Sequence, residues 1–121
     1  MHIESLMSDQ LARYLDLASA QTRMTAENMA NIDTPGYRAV GMDFEFEMQH
    51  ALRDAAAGEG AQPVHVRFED GLVARPDGNN VSMDRESLNL AEAQLRYRTG
   101  VALLKQQYQR AMDAIRVDSG K

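Results

Sequence analysis

The chain has 121 residues, a formal net charge of -5 at pH 7 and no cysteine. The length suits one domain, or one domain with extended arms. The acidic balance disfavours binding to nucleic acid or to an anionic membrane surface, because both need clustered lysine and arginine. The lack of cysteine excludes disulfides, thiolate catalysis and cysteine-ligated zinc.

The start of the chain, MHIES, carries an acid and lacks the basic and apolar regions of a secretory leader. No apolar run approaches the roughly 20 residues that a membrane-spanning helix needs. We therefore expect that the protein, if it leaves the cytoplasm, does so by a route without a cleaved signal peptide.

The first predicted element is a long amphipathic helix over about residues 3–31, which contain no proline or glycine. Its predicted face shows spacings of three and four and contains Met7, Leu11, Tyr14, Leu17, Ala18, Met24 and Asn28. Near its end the face becomes polar, with Gln21, Thr25, Asn28 and Asn31. These polar side chains are either solvated or hydrogen-bonded to something specific, and the pattern leaves both alternatives open.

The helix is predicted to end by Asp33, within the sequence ANIDTPGYR at residues 30–38. Proline disfavours the α conformation in the residue before it, so Thr34 leaves the helix. Pro35 and Gly36 fit the central positions of a type II turn, where glycine supplies the positive φ. A bare Pro-Gly pair is equally typical of an ordinary helix-ending loop. The motif residues of the turn are Ala30, Asn31, Thr34, Pro35, Gly36 and Tyr37.

A small mixed insert is predicted after the turn. Asp43 can cap a short helix over about residues 44–57, and Gly58 follows its end. Residues 64–68 alternate like a strand, so Asp70-Gly71 predicts a hairpin turn with residues 72–74 as the return strand.

A second long helix is predicted over about residues 84–117, with Ser82 or Asp84 as its cap. Its main apolar row has near-heptad spacing and contains Leu90, Tyr97, Val101, Leu104, Tyr108, Ala111 and Ile115. A second row widens the apolar face with Leu88, Ala91, Leu95 and Ala102. Gly100 weakens a helix interior by about 1 kcal/mol relative to alanine, so it is a candidate for close helix approach.

The predicted fold class is mainly α: a long antiparallel, coiled-coil-like hairpin of the N- and C-terminal helices, with a small insert containing a short helix and a short β-hairpin. Helices of about 30 residues are on the order of 45 Å long, which does not suit a compact chain with a radius of gyration of roughly 13 to 14 Å. The chain divides into an N-terminal helix at 1–33, the turn and insert at 34–83, and a C-terminal helix at 84–121.

One partner helix cannot cover both apolar rows of the second long helix. Uncovered rows of this size indicate a protein interface, so we expect self-assembly or docking to other helices. The alternative is an intramolecular three-helix core that includes the helix at 44–57. The residues expected at packing contacts are Tyr14, Leu17, Met24, Asn28, Leu90, Leu95, Tyr97, Val101, Leu104 and Tyr108.

No catalytic, cofactor-binding or metal-binding set is predicted. The three histidines lack metal-ligand spacing, and no HExxH, GxSxG, P-loop or GxGxxG motif occurs. The acids of Asp43-Phe44-Glu45 and Asp84-Arg85-Glu86 stand at predicted helix starts, where capping and the helix dipole explain them better than catalysis. We therefore expect no enzyme, no cofactor, no small-molecule substrate and no nucleic-acid partner.

Two stretches resemble the bacterial flagellar rod, hook and hook-associated axial proteins. AENMANIDTPGYRA at residues 26–39 is similar to the family signature that ends the first helix, with its Ala-Asn-xx-Thr-Pro-Gly-Tyr core. DGNNVSMDRESLNLAEAQLRYRTGVALL at residues 77–104 resembles the C-terminal segment of a proximal rod subunit in order and spacing. Ser82 departs from the acid expected there, and the insert at about 40–75 carries little signature.

The resemblance implies a structural subunit of the proximal rod of the flagellar basal body, assembled helically into a hollow drive shaft that transmits torque. The implied partners are further copies of the chain, the rod proteins FlgC and FlgF, the adaptor FliE, the MS-ring protein and the type III export gate. The implied location is the periplasmic rod, reached by type III export without a cleaved signal peptide.

The resemblance also suggests uses for the turn and for the polar end of the first helix. The turn would direct the chain from an inner tube to an outer layer, with Tyr37 as anchor, while Gln21, Asn28 and Asn31 are candidates for hydrogen bonds to neighbouring subunits. Two alternatives remain: another rod paralogue, of the FlgC type, and a soluble helical adaptor or export chaperone for axial proteins.

Overall fold

A computed structural model describes the backbone of residues 2–119 and the side chains of residues 5–118. The elements in chain order are α1 His2–Ala30, β1 Val40–Gly41, α2 Phe44–Ala56, β2 Arg67–Phe68 and α3 Met83–Ser119. The protein is mainly helical, as predicted, and the ends of the helices lie close to the predicted ones. No helix in the described part combines the length and apolarity needed to cross a membrane.

Side-chain caps explain where α2 and α3 begin. The Asp43 carboxylate accepts a hydrogen bond from the Phe46 N–H at 3.1 Å. The Ser82 hydroxyl oxygen accepts one from the Arg85 N–H at 3.3 Å. Both arrangements satisfy a backbone donor that the first helical turn leaves without a partner. Of the two candidate caps for α3, Ser82 is therefore the one that the chain uses.

α1 and α3 lie side by side, and the contacts between them run in opposite chain order. Near the end of α1, the Asn28 amide donates to the Glu86 carboxyl oxygen at 3.0 Å, in the first turn of α3. Earlier in α1, Gln21 accepts a hydrogen bond of 2.7 Å from Arg96, further along α3. The polar end of the α1 face is therefore bonded within the chain.

Gly100 marks a close approach of the two long helices. A Cβ at this position would lie 2.7 Å from Cδ2 of Leu15 and 3.0 Å from Cδ2 of Tyr14. Such distances are shorter than van der Waals contact between carbon atoms. The predicted close approach at Gly100 is confirmed, and it offsets the unfavourable helix propensity of glycine.

The buried core is built from small apolar residues and from polar side chains. The buried apolar residues are Leu17, Ala18, Ala20, Ala39, Ala55, Val81 and Ala93. The buried polar or charged residues are Arg13, Thr25, Asn28, Glu47, Asn79 and Glu86. Buried polar groups need hydrogen-bond partners, so specific polar contacts determine much of how the elements fit together.

α2 packs on α1 and leaves most of α3 uncovered. Its first residue, Phe44, lies edge-on to Tyr14 with ring centroids 5.6 Å apart, and the Arg96 guanidinium carbon lies 4.0 Å from the Phe44 centroid. Within the described residues, no Cα of α2 lies within 8 Å of one in α3. α2 therefore packs against α1 and reaches α3 through Phe44, and this packing leaves the exposed apolar residues of α3 uncovered.

Two buried charged side chains hold the segment that follows α2. Arg13 on α1 donates to the carbonyls of Ala51, at 3.2 Å, and of Glu59. Glu47 on α2 accepts from the His65 N–H and lies 2.9 Å from Nδ1 of the same residue. These polar contacts tie the segment after α2 to α1 and α2.

The predicted β-hairpin over residues 64–68 and 72–74 is wrong. The sheet is formed by β1 and β2 in antiparallel register, with Val40 opposite Phe68 and Gly41 opposite Arg67. The chain does bend at Gly71, where φ is +75°, but residues 72–74 form no strand and Val73 is 90% exposed. An isolated short hairpin is marginal in water, so β2 pairs instead with a segment whose backbone is already held in place.

Candidate functional site

The sequence TPGY forms the predicted turn directly after α1. Gly36 has a φ of +74°, and the Tyr37 N–H donates to the Thr34 carbonyl at 3.2 Å. The Thr34 hydroxyl donates to the Asn31 side-chain oxygen at 3.0 Å. This is a type II turn with glycine at the position that requires positive φ.

Asn28 is buried in the last turns of α1, and each polar atom of its amide, Oδ1 and Nδ2, takes part in two hydrogen bonds. Its Oδ1 accepts from the Val40 N–H at 3.0 Å and from the Tyr37 hydroxyl at 3.1 Å. Its Nδ2 donates to the Val40 carbonyl at 2.8 Å and to Glu86 Oε1 at 3.0 Å. A single side chain therefore connects α1, the turn, β1 and α3.

Asn79 makes a second connection, from the segment before α3 to the turn. Its Nδ2 donates to the carbonyls of Asn31 and Thr34, both at 2.8 Å. Its Oδ1 accepts from the Val81 N–H at 2.8 Å. The carbonyls left open at the end of a helix need such partners, and here a buried amide from a distant part of the chain supplies them.

A third bond across this connection runs from the Asn80 N–H to the Tyr37 carbonyl at 3.3 Å, and two more are shorter. The Gly36 N–H donates to the Asp77 carbonyl at 2.8 Å, and the Ala39 N–H donates to Asn80 Oδ1 at 2.7 Å. We call the whole arrangement the clasp, with Asn28, Asn31, Thr34, Gly36, Tyr37, Ala39 and Val40 on one side and Asp77, Asn79, Asn80, Val81 and Glu86 on the other. The clasp fixes the direction in which the chain leaves α1.

Two ionisable side chains of the clasp are perturbed by burial. Burial raises the pKa of the Glu86 carboxyl, while the Asn28 and Asn89 amides act in the opposite direction. Burial, followed by the charges of Glu27 and Glu86, raises the pKa of the Tyr37 hydroxyl. Tyr37 therefore stays protonated and able to donate to Asn28.

The C-terminal half of α3 presents large apolar side chains to the surface. Leu104 is 39% exposed and Tyr108 is 68% exposed, with Met112 on the same side of the helix. Met7 of α1 borders the open groove that Leu104 and Tyr108 line. We call Leu104, Tyr108 and Met112 the open face of α3. Contiguous exposed apolar side chains of this kind indicate an interaction surface.

The structure divides the predicted packing residues into two groups. Those buried or half-buried within the chain are Tyr14, Leu17, Met24, Asn28, Leu90 and Val101. Those that are exposed are Leu95, Tyr97, Leu104 and Tyr108. Leu104 therefore lies at the surface of the chain.

Of the turn motif, Asn31, Thr34, Gly36 and Tyr37 belong to the clasp, whereas Ala30 and Pro35 are exposed and are not part of it.

Sequence reasoning missed the second side of the clasp. The composition of residues 76–80, Pro-Asp-Gly-Asn-Asn, is typical of a turn and accounts for Asn79 and Asn80 without burial, and Glu86 is predicted only as an acid near a helix start. Turn composition and helix position explain such residues without burial. No local pattern distinguishes a solvated asparagine from one that bonds a segment far away in the sequence, so only the resemblance of residues 77–104 pointed to this region.

Within the described residues, no group of three histidine, cysteine or acidic side chains is arranged to hold a metal ion. The polar groups of the clasp are instead bonded to each other and to backbone. These hydrogen bonds fix the backbone conformation at one end of the pair formed by α1 and α3.

Comparison with known proteins gives the same family from several bacteria. A flagellar basal body rod protein FlgB of Cereibacter sphaeroides is 34% identical, with 89% of this chain and 94% of that protein covered. The FlgB of Salmonella typhimurium is 32% identical, covering 84% of this chain and 86% of the relative. The FlgB of Borrelia hermsii is 31% identical, covering 80% and 86%. No protein-family model matches the chain.

Proposed function

The chain belongs to the FlgB family of flagellar basal body rod proteins, and from this premise we propose how it acts as a structural subunit of the rod. The chain is a building block and not an enzyme. Its proposed position is the periplasmic proximal rod, where copies assemble helically into a hollow shaft that transmits torque. The relatives named above carry the FlgB name, so neither a paralogue of the FlgC type nor an export chaperone is favoured.

The open face of α3 is the observation that carries this proposal. α1 and α3 form a coiled-coil-like antiparallel hairpin, and neighbouring subunits cover Leu104, Tyr108 and Met112, which the chain leaves exposed. Burying apolar surface stabilises an assembly by about 25 cal/mol per Å². Leu95 and Tyr97, exposed further toward the start of α3, extend the contact surface.

The clasp has a separate proposed role, which is to give every subunit the same shape. A helical lattice repeats any error in its heterologous contacts, so the chain must leave α1 in one direction in every copy. The hydrogen bonds of Asn28 and Asn79 support this role because they hold the turn from both sides. The polar end of α1 already forms hydrogen bonds within the subunit, so its proposed role is in the fold of the subunit.

The proposed partners are other copies of the chain, the rod proteins FlgC and FlgF, the adaptor FliE, the MS-ring protein and the type III export gate. The proposed route to the periplasm is type III export without cleavage of a signal peptide. The cysteine-free composition supports this route, because a chain that is exported unfolded gains nothing from disulfides.

Deletion of the gene tests the proposed function. Basal bodies purified from the deletion strain should show rings without a rod in electron micrographs, and swimming should be lost. Supplying the wild-type chain in trans should restore both, whereas supplying an FlgC paralogue should restore neither. A complete rod and hook in the deletion strain would contradict the proposal and would favour an accessory role.

A further inference from the structure

A fully buried carboxyl lies where the clasp joins α1 to α3. Glu86 has an exposed fraction of 0%, although glutamate is almost never fully buried unless it is paired. The role of a rod subunit does not require an ionisable group at this position, since a glutamine or an apolar residue could fill the same space. The burial of an ionisable group at this junction therefore requires its own explanation.

The two carboxyl oxygens of Glu86 differ in their hydrogen bonding. Oε1 accepts from Asn28 Nδ2 at 3.0 Å, and Oε2 is buried without a hydrogen-bond partner among the described residues. The same Nδ2 also donates to the Val40 carbonyl. The Asn28 and Asn89 amides both favour the ionised form, but a carboxylate held only by neutral donors is poorly compensated in a buried site, whereas a neutral carboxylic acid loses much less on burial.

The charged groups around Glu86 do not compensate a negative charge. From the segment after β2, Glu69 disfavours the ionised form, while Arg85 on α3 favours it more weakly than burial opposes it. Arg85 also pairs with Glu69 at 3.5 Å. From α1 the contact is the uncharged Asn28 amide, and the Tyr37 hydroxyl reaches the site only through that amide.

We propose that Glu86 is a proton-sensitive latch: as a neutral acid it is stable in its buried site and keeps α1 and α3 joined at the clasp, and as a carboxylate the cost of its burial loosens the junction between α1 and α3. The only chemical change is release of the carboxyl proton to solvent. The latch is a property of the folded chain itself, so it holds or fails independently of the role of the chain in the rod.

The direction of the pH dependence follows from the raised pKa of Glu86. The folded chain holds this proton more tightly than the unfolded chain, whose glutamate pKa is about 4.3. The stabilisation is complete below that value and is lost as the pH rises through the folded-state pKa. Each unit of difference between the two pKa values changes the unfolding equilibrium constant about tenfold across this range.

The test compares the isolated wild-type chain with Glu86→Gln between about pH 4 and pH 8. Glutamine can accept the same bond from Asn28 but cannot ionise. Carboxyl-carbon NMR reports the titration of Glu86, and hydrogen exchange of the Val40 N–H reports the clasp, after correction for the intrinsic pH dependence of exchange. We expect Glu86 to titrate above about 4.3. Protection of Val40 should fall over the same range in the wild type and stay constant in Glu86→Gln.

Asp84→Asn is the matched control, because Asp84 is an exposed acid in the same helical turn. It should leave the pH profile of Val40 protection as in the wild type. A Glu86 carboxyl that titrates at or below about 4.3 would overturn the latch, and so would a Glu86→Gln chain with the wild-type pH profile. If Glu86→Gln does not fold, the titration of the Glu86 carboxyl in the wild-type chain, compared with the pH profile of Val40 protection in that chain, tests the latch by itself.

Discussion

The Asn28 side chain bonds to both backbone groups of Val40, accepting from its N–H at 3.0 Å and donating to its carbonyl at 2.8 Å. A neighbouring strand would satisfy an extended residue in the same way. Asn28 thus holds Val40 extended from one side, while Phe68 is its register partner in the sheet on the other. This relationship explains why a two-residue strand forms immediately after the turn.

Replacing Asn28 with alanine should destabilise the isolated chain by about 2–4 kcal/mol, because several buried groups lose their partners at once. Urea unfolding followed by circular dichroism measures the change. Asn31→Ala is the control, since the Asn31 side-chain bonds are exposed, and it should cost less than about 1 kcal/mol. Equal effects of the two variants would show that the buried bonds of Asn28 do not stabilise the fold.

Replacing Gly36 with valine should destabilise the turn through backbone strain alone. Gly36 has a φ of +74°, and a Cβ there would meet nothing within 4 Å. A left-handed conformation costs a non-glycine residue about 1–2 kcal/mol, and more for a β-branched one. Gly60→Val, also in open space, is the control. We expect lower unfolding free energy and loss of swimming for Gly36→Val only, and normal motility of that variant would argue against the role of the turn.

Replacing Gly100 with valine should push α1 and α3 apart. The added carbon atoms would overlap Leu15 and Tyr14, and overpacking of this kind costs about 1–3 kcal/mol. Combining the change with Leu15→Ala makes room, so the double variant should be more stable than the sum of the two single effects. A double-mutant cycle of unfolding free energies measures this coupling, and strict additivity would exclude the close contact.

Replacing Leu104 with aspartate should affect assembly and not the fold of the isolated chain. Leu104 is 39% exposed, so part of its side chain packs within the chain, and we expect a loss of about 1–2 kcal/mol that leaves the chain folded. In basal bodies the charge would be buried against a neighbour without a partner, and the variant should be absent from purified particles. Gln106→Asp, at another exposed position of α3, should still assemble. Incorporation of Leu104→Asp at the wild-type level would remove Leu104 from the contact surface.

The sequence predicted the helices well because their signals are local. Periodicity located α1 and α3, the cap at Asp43 located α2, and Pro35-Gly36 predicted the type II turn. The position of Gly100 within an apolar face also predicted the close approach of the two long helices. The helices and the turn depend on residues within a few positions of each other, which is the range over which helix and turn preferences act.

The sheet and the clasp could not be predicted in the same way. Phe68 pairs with Val40 and not with the segment after Gly71, because Asn28 has already fixed the backbone of Val40. Asn79 reads as one more polar turn residue until its contacts with Asn31 are known. These choices depend on which distant segments meet, so tertiary contacts override local preference.

In the proposed rod, neighbouring subunits cover the open face of α3. The chain has no cysteine, so Tyr108→Cys provides a single thiol whose labelling by a maleimide can be followed. In a strain that swims with this variant, we expect rapid labelling of the isolated chain and strong protection in purified basal bodies, with the denatured particles as the reference for full labelling. Equal labelling rates in the isolated chain and in intact basal bodies would contradict the claim.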